Sequence, residues 1–187
     1  MSKSIKNDEE IRNEFFEAAA VAAREAGAGQ LTPALIAKAA GKTQKVFISV
    51  FGNIEAYLSA LQLRFFRGRL NHVVESLKQS KQGFDAIEKA LTAYLDYTLK
   101  HHETYRVLCA ARTLYPALTA EMQGRLQNSI LMLQAELRNL GSHHSGEMSH
   151  LGFAVVLEVI RMENEARAKK PALREALWAA LHTLAKV

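Results

Sequence analysis

Four side chains near residue 145 are of types that bind metal ions. Three are histidines, His143, His144 and His150. Glu147 precedes the last of them by three positions. A carboxylate-bridged di-iron site in a helical bundle needs a second Glu-x-x-His pair and two further glutamates, and the sequence has no second pair. A solvated histidine loop is the simpler interpretation, so we expect no metal and no cofactor.

The sequence shows no other pattern that is typical of a catalytic site. Cys109 is the single cysteine and lies in an apolar helical segment, where a cysteine is usually buried filler and not a redox sensor. No glycine-rich phosphate loop is present, and no nucleophile occurs with a base and an orienting group. We therefore expect that the protein is not an enzyme.

The cysteine count and the hydrophobic runs also bear on location. A lone cysteine cannot form an internal disulfide, and the N-terminus does not join a basic start to an apolar run of signal-peptide length. The apolar stretches are much shorter than the roughly 20 residues that cross a bilayer. These features predict a cytoplasmic protein with no membrane partner.

Positive charge is concentrated in one part of the chain. The net charge is only +5, but the segment Ala28 to Gln82 has eight basic residues and two acidic ones. Within it, Lys38, Lys42 and Lys45 precede Ile54 with no acid between Ala28 and Ile54. Such local asymmetry is typical of a surface that faces phosphates, although an ordinary solvated face remains the alternative.

The basic segment is divided into two short helices by a tight turn. Thr32 and Pro33 predict the start of one helix, which ends near Ala40 and Gly41. Thr43 predicts the cap of a second helix that ends near Phe51. Two short helices with a glycine in the turn are typical of a helix-turn-helix, whose second helix can enter a major groove.

Helical periodicity predicts which side chains of the second helix could contact a ligand. Phe47 and Phe51 are four residues apart and should face the core. On the other side, Gln44 could pair with adenine, Lys45 with guanine or a phosphate, and Ile48 with a thymine methyl group. The candidate DNA-binding residues are Thr32, Lys42, Thr43, Gln44, Lys45, Ile48 and Ser49.

The rest of the chain predicts further helices and no strands. Periodic apolar positions and helix-ending signals indicate an all-α fold of about nine helices. A long fourth helix from Ile54 to about Gln79 carries two apolar stripes, as expected of a connector between two helical layers. One stripe is Ile54, Leu58, Leu61 and Phe65; the other is Leu63, Phe66, Leu70, Val73 and Leu77.

The first third of the chain resembles the TetR family of transcriptional repressors. Gly41 to Leu58 reads GKTQKVFISVFGNIEAYL, where the family typically reads GVSKGTLYHYFPSKEALL. With the helix Ile11 to Gly27, Leu31-Thr32 and Ile36-Ala37, the resemblance covers about residues 9 to 61. Three positions depart from it: Lys45 replaces the usual glycine, Ile48 the usual phosphate-contacting tyrosine, and Ile54 the usual lysine.

The resemblance implies a homodimer formed through the last two helices. Here these are about Glu147 to Ala168 and Pro171 to Ala185, joined by a short turn and therefore expected to pack antiparallel. A central helix within a monomer is the alternative explanation of their apolar character. The candidate dimer-interface residues are Leu151, Val155, Val159, Leu173, Leu177, Leu181 and Leu184.

The resemblance also implies an effector pocket among the middle helices. Aromatic walls with a few polar groups are typical of small-molecule sites, although each such tyrosine could equally be a core residue. The candidate ligand-binding residues are Tyr94, Tyr97, Thr98, His101, Tyr105, Cys109 and Arg112.

Two functions remain open at this point. One is a ligand-responsive regulator that binds double-stranded DNA, with a helix-turn-helix domain at residues 1–53 and an effector-binding and dimerisation domain at residues 54–187. Such a protein would be a repressor released from a palindromic operator by a small-molecule effector. The alternative is a dimeric helical module that binds a small molecule or a protein and has lost DNA binding.

Overall fold

The structure, a computed structural model, describes residues 2–78, 80–81 and 83–186, with side chains from Asp8 onward. Within these ranges the chain forms nine α-helices and no strand, which confirms the predicted all-α fold. In chain order they are α1 (Ser2–Ala26), α2 (Pro33–Ala39), α3 (Gln44–Phe51), α4 (Ile54–Leu77), α5 (Phe84–Lys100), α6 (His102–Leu114), α7 (Pro116–Asn139), α8 (Ser145–Ala166) and α9 (Pro171–Leu184).

The helices belong to two compact units. One comprises the chain up to Phe66 together with Glu103–Ala120, and the other comprises Arg67–His102 and the chain from Glu121 onward. The fourth helix passes from the first unit to the second. The assignment of residues 1–53 to DNA binding is a statement about function and stays a prediction.

In the first unit, α1, α2 and α3 pack against one another around aromatic side chains. Phe15 and Phe47 are fully buried, and Phe51 is nearly so. Tyr57, from the first turn of α4, is also fully buried, with its ring centroid 5.0 Å from that of Phe51. Burial of several aromatic rings in one cluster is a large apolar contribution for a unit in which α2 and α3 have only seven and eight residues.

In the second unit, α8 and α9 pack against each other, and α5 packs on α8. The side chains of Glu163 and Arg174 meet at the end of the hairpin near its turn, whereas Gly152 lies beside Leu181 farther along. The predicted antiparallel arrangement of these two helices is therefore confirmed. An added Cβ at Gly152 would lie 2.8 Å from Leu181 Cδ2, so a larger residue here would force Leu181 to shift.

The second apolar stripe predicted for α4 is only partly correct. Leu58, Leu61 and Phe65 of the first stripe are buried. In the second stripe Phe66 is buried, but Leu70 is 53% exposed. The neighbouring Val74 is 49% exposed as well. Periodicity identifies an apolar face, but it does not say whether another helix covers that face along its whole length.

No single helix in the described part of the chain is long and apolar enough to cross a membrane. The pair α3 and α4 meets that criterion by length and composition only when both are counted together across a 67° bend.

Candidate nucleic-acid interface

Helix α3 is fixed at both ends by local signals in the sequence. The Thr43 hydroxyl oxygen accepts a hydrogen bond from the Val46 amide at 3.4 Å, and this confirms the predicted N-cap. At the other end, Gly52 has a φ of +78°, and its amide donates to the Ile48 carbonyl at 2.8 Å. A positive φ is readily accessible to glycine, so α3 ends there.

One face of α3 is anchored in the aromatic cluster of the first unit. The Phe47 ring stands edge-on to Phe15, with centroids 5.4 Å apart, and the Phe51 ring lies 5.7 Å from the same partner. The prediction that Phe47 and Phe51 face the core is confirmed. Because two rings one helical turn apart are held, rotation of α3 about its own axis is blocked.

The opposite face of α3 is open to solvent. Ile48 is 42% exposed although it is a large apolar residue. Burying such a side chain against a partner would be favourable. The other exposed positions on this face are Thr43, Gln44, Lys45 and Ser49. The surface has the composition predicted for base readout, and its contact with DNA stays a prediction.

Thr32 lies at the start of α2 and caps that helix. Its hydroxyl oxygen accepts a hydrogen bond from the Leu35 amide at 3.3 Å, with Pro33 in the first turn. The side chain is therefore fixed in place and exposed. Its hydroxyl proton remains a possible donor to an anion, as the predicted phosphate contact requires.

Lys42 is the one predicted DNA-binding lysine that the described side chains hold in an ion pair. Its Nζ lies 2.8 Å from Oε2 of Glu14 on α1. Lys38 and Lys45 are exposed and have no ion pair with any described side chain. Sequence reasoning missed Glu14. The available signal was the row of acidic residues Glu10, Glu14 and Glu17 along one side of α1.

Two arginines make further polar contacts between α1 and the rest of the first unit. Arg12 Nη2 donates to the Val50 carbonyl at 3.4 Å, and its guanidinium lies 5.1 Å from the Phe51 ring centroid. Arg64, from α4, binds Glu17 at 2.6 Å. These contacts tie the surface of α1 to the end of α3 and to α4.

A buried hydrogen bond also joins α1 to α4. The hydroxyl of Tyr57 donates to the Phe15 carbonyl at 2.8 Å. Burial raises the pKa of Tyr57 well above its ordinary value; nearby Arg64 lowers it and Glu17 raises it further, both by smaller amounts. The neutral phenol is thus the form that the fold stabilises.

Four of the seven predicted effector-binding residues lie in the second unit. The Arg69 guanidinium lies 3.8 Å from the ring centroid of Tyr94, which also packs against Phe153. Tyr97 contacts His101, with ring centroids 4.3 Å apart. Thr98 is different, because it is fully buried and its hydroxyl donates to the carbonyl of Tyr94. The contact of Thr98 with a ligand stays a prediction.

The other three predicted effector-binding residues lie in the first unit. Arg112 Nε donates to Gln62 Oε1 at 2.8 Å, and Gln62 Nε2 donates to the Leu118 carbonyl. Cys109 is half-buried, with its Sγ 4.0 Å from Arg112 Nη1. Tyr105 packs beside Phe65 at a centroid distance of 6.1 Å.

Sequence reasoning missed two polar residues that take part in these clusters, Gln62 and Arg69. Both are buried on α4. They follow Leu58 at helical spacing on a face otherwise occupied by Phe65 and Phe66. A glutamine and an arginine on an apolar helix face were the signal that could have identified them.

The predicted dimer-interface residues divide by exposure. Leu151 and Val155 are 54% and 38% exposed, while Leu173 and Leu184 are half-buried. Three others are at most 1% exposed within the single chain: Val159, Leu177 and Leu181. For these three the prediction is wrong, because they fill the core of the second unit. Amphipathic spacing alone does not separate a face turned inward from one turned outward.

The histidines that introduced the metal hypothesis lie around the loop between α7 and α8. His143, His144 and His150 are all exposed. Among the described residues, no group of three or more His, Cys, Asp or Glu side chains is arranged to hold a metal ion.

Solved structures of known proteins resemble this chain in fold at low sequence identity. No protein-family model matches the sequence, and no curated protein matches it. A solved structure of the fatty acid degradation regulator FadR from Bacillus halodurans is similar at a TM-score of 0.72 and 16% identity, over 92% of this chain and 93% of that one. A TetR family transcription regulator from Marinobacter aquaeolei VT8 is similar at a TM-score of 0.68 and 16% identity, over 97% of this chain and 96% of that one.

These similarities extend over nearly the whole length of the chain, including the part where the sequence resemblance ends. The chain therefore has the all-α fold of TetR-like regulators. At this level of identity the similarity defines the fold, while site residues depend on the geometry described above.

Proposed function

We propose that this protein is a cytoplasmic, DNA-binding transcription regulator. The observation that carries the proposal is the division of α3 into two faces. Phe47 and Phe51 are held in the core, so the exposed Gln44, Lys45 and Ile48 have a fixed orientation. Side chains that read base edges need this rigid positioning, because base readout depends on hydrogen-bond geometry.

The two solved structures named above are of transcription or degradation regulators, and this supports the same class of function here. We propose that residues 1–53 bind double-stranded DNA and that residues 54–187 bind an effector and dimerise. The mode we propose is repression, relieved when a small molecule favours the conformation with lower affinity for DNA.

A homodimer is part of the proposal. The exposed apolar residues Leu151 and Val155 on α8 support an interface on that side of the helix. A two-fold dimer would bind two DNA half-sites separated by about one turn of the double helix, roughly 34 to 36 Å. It would therefore select a pseudo-palindrome.

For the effector, we propose the cluster around Tyr94 and Tyr97 in the second unit. The aromatic rings and the neighbouring Arg69 supply apolar surface and positive charge, which is typical of small-molecule recognition. Tyr94→Ala should leave DNA binding intact and abolish release by any compound that dissociates the wild-type complex.

The decisive experiment is selection of bound sequences from random duplex DNA by the purified full chain. Enrichment of a pseudo-palindrome would support both sequence readout and two-fold symmetry. Recovery of unenriched DNA at every salt concentration would contradict the proposal.

A second candidate is a helical dimer that has lost DNA binding. The observation in its favour is that Lys42, one of the few cations next to α3, is already bound to Glu14. Wild-type protein with no affinity for any duplex, together with retained small-molecule binding, would favour this candidate.

A further inference from the structure

The ion pair between Lys42 and Glu14 joins the helix-turn-helix turn to α1. The two charged atoms are 2.8 Å apart, and the side chains are 34% and 50% exposed. The backbone of the turn is held separately, because the Lys42 amide donates to the Ala37 carbonyl at 2.9 Å. The side chain of Lys42 can therefore change partner without a change in the turn.

We propose that Glu14 is an internal counter-ion for Lys42, which a DNA phosphate must displace before Lys42 contributes to binding. The inference rests on the proposed function and adds a self-inhibiting contact to it. A carboxylate and a phosphate both offer anionic oxygens to the same ammonium group, so the two compete. While Glu14 holds Lys42, the positive field that attracts DNA is reduced on this side of the turn.

Because the ion pair is partly exposed, a DNA phosphate can replace Glu14 as the partner of Lys42. Ion pairs in contact with water are weak, because solvent compensates both charges when they separate. A fully buried pair, such as that of Glu163 with Arg174, could not exchange in this way, since separation would leave a desolvated charge. The contact with Glu14 lowers the affinity for DNA and does not abolish it.

Lys45 provides the contrast within the same helix-turn-helix. It is exposed, has no ion pair with any described side chain, and lies in the first turn of α3. Its charge is therefore available to a phosphate at once. Lys42 requires release, so removal of the Glu14 charge should act through Lys42 and not through Lys45.

The test compares charge-neutral variants of two glutamates on α1. Glu14→Gln removes the partner of Lys42, and Glu10→Gln is the matched control, one helical turn earlier, exposed and without an ion pair among the described side chains. Binding of a fluorescent duplex is measured by anisotropy at low and at physiological salt. Glu14→Gln should bind roughly two- to fivefold more tightly for each helix-turn-helix that contacts the duplex, the range expected for loss of an exposed ion pair.

The gain should depend on Lys42. In the Lys42→Met background, Glu14→Gln should raise affinity no more than Glu10→Gln does. The unfolding midpoint in urea should be nearly the same for wild type and Glu14→Gln, which separates competition for Lys42 from a structural role of the pair.

The outcomes separate this inference from the proposed function. If wild type binds a selected operator and Glu14→Gln binds no more tightly than Glu10→Gln, the inference is wrong and the function stands. If only Glu14→Gln binds duplex DNA, the contact blocks binding completely, which contradicts both the modest weakening inferred for Glu14 and the proposed function. If neither binds, both fail.

Discussion

The Tyr57 hydroxyl donates a 2.8 Å hydrogen bond to the carbonyl oxygen of Phe15, 42 residues earlier in the chain. This bond ties the first turn of α4 to α1 beneath the aromatic rings that anchor α3. A single buried phenol therefore connects α1, α3 and α4, which together fix the orientation of the exposed face of α3.

Substitution of this phenol tests its role in stability. Tyr57→Phe should lower the free energy of unfolding by about 1 kcal/mol near neutral pH, the usual net value of one hydrogen bond. Because burial raises the pKa of Tyr57 above its ordinary value of 10.0, the folded chain holds this proton more tightly than the unfolded chain.

The stability that this group contributes is complete below the unfolded pKa and is lost as pH rises past it. Wild type should therefore lose stability more steeply than Tyr57→Phe above about pH 10. Urea unfolding of both proteins at about pH 8 and pH 11 measures the difference, and an unchanged gap between them would contradict this explanation.

Gly68 on α4 leaves the space that the ring of Tyr97 occupies. A Cβ added at Gly68 would overlap the Tyr97 hydroxyl oxygen, so Gly68→Ala must displace the ring. The clash should cost about 1 to 3 kcal/mol and outweigh the gain of about 1 kcal/mol in helix propensity.

Gly124→Ala is the matched control for this prediction, because nothing lies within 4 Å of the added methyl group. It should raise stability by up to about 1 kcal/mol. Thermal unfolding of Gly68→Ala and Gly124→Ala measures both effects. In a Tyr97→Ala background, Gly68→Ala should destabilise the fold less.

Two arginines of the second unit should differ greatly in their effect on stability. The Arg174 guanidinium is buried with Glu163 at 2.7 Å and also binds Asp96. Burial lowers the pKa of Arg174, but its hydrogen bonds to Glu163 and Asp96 outweigh that effect, so the pKa is raised. Arg174→Met should destabilise the fold by about 3 to 5 kcal/mol, because it leaves Glu163 buried without its partner.

Arg161→Met is the control, since Arg161 also binds two carboxylates, Glu158 and Glu165, but on an exposed surface. Its loss should change stability by less than about 1 kcal/mol. Urea denaturation curves give the free energy of unfolding of both variants. Equal losses would show that burial does not determine how much these ion pairs contribute to stability.

Two residues in the first turn of α3 should affect DNA binding in different ways. Lys45→Ala should weaken binding to all duplexes about equally. It should also reduce the slope of log affinity against log salt concentration by about one for each helix-turn-helix that contacts DNA. Gln44→Ala should lower the preference for the selected operator by about 1 to 3 kcal/mol if Gln44 pairs with a base. Lys100→Ala, an exposed lysine on α5, should change neither quantity.

The exposed side of α8 should control the oligomeric state. Leu151→Glu places a charge on a side chain that is 54% exposed in the single chain, and it should convert a dimer to monomers. Leu114→Glu alters a side chain that is 60% exposed on α6 and should leave the dimer intact. Sedimentation velocity distinguishes the two results, and a monomeric wild type would contradict the predicted homodimer.

Local structure was determined by the sequence alone. The caps at Thr32 and Thr43 and the helix end at Gly52 depend on neighbouring residues and backbone geometry, so short-range rules predicted them. The inward orientation of Phe47 and Phe51 followed from their spacing of one helical turn, and the order of the helices followed from periodicity.

The tertiary structure decided which apolar faces are covered and which charges are paired. Val159 on α8 and Leu177 and Leu181 on α9 have the same spacing signal as Leu151, yet the three lie in the core. Helices α8 and α9 pack against each other and α5 packs on α8, whereas Leu151 stays exposed. The pairing of Lys42 with Glu14 and the contact of Gln62 with Arg112 join residues far apart in sequence. Periodicity assigns a side chain to a face of its own helix, whereas burial and charge pairing depend on which other helix lies opposite that face.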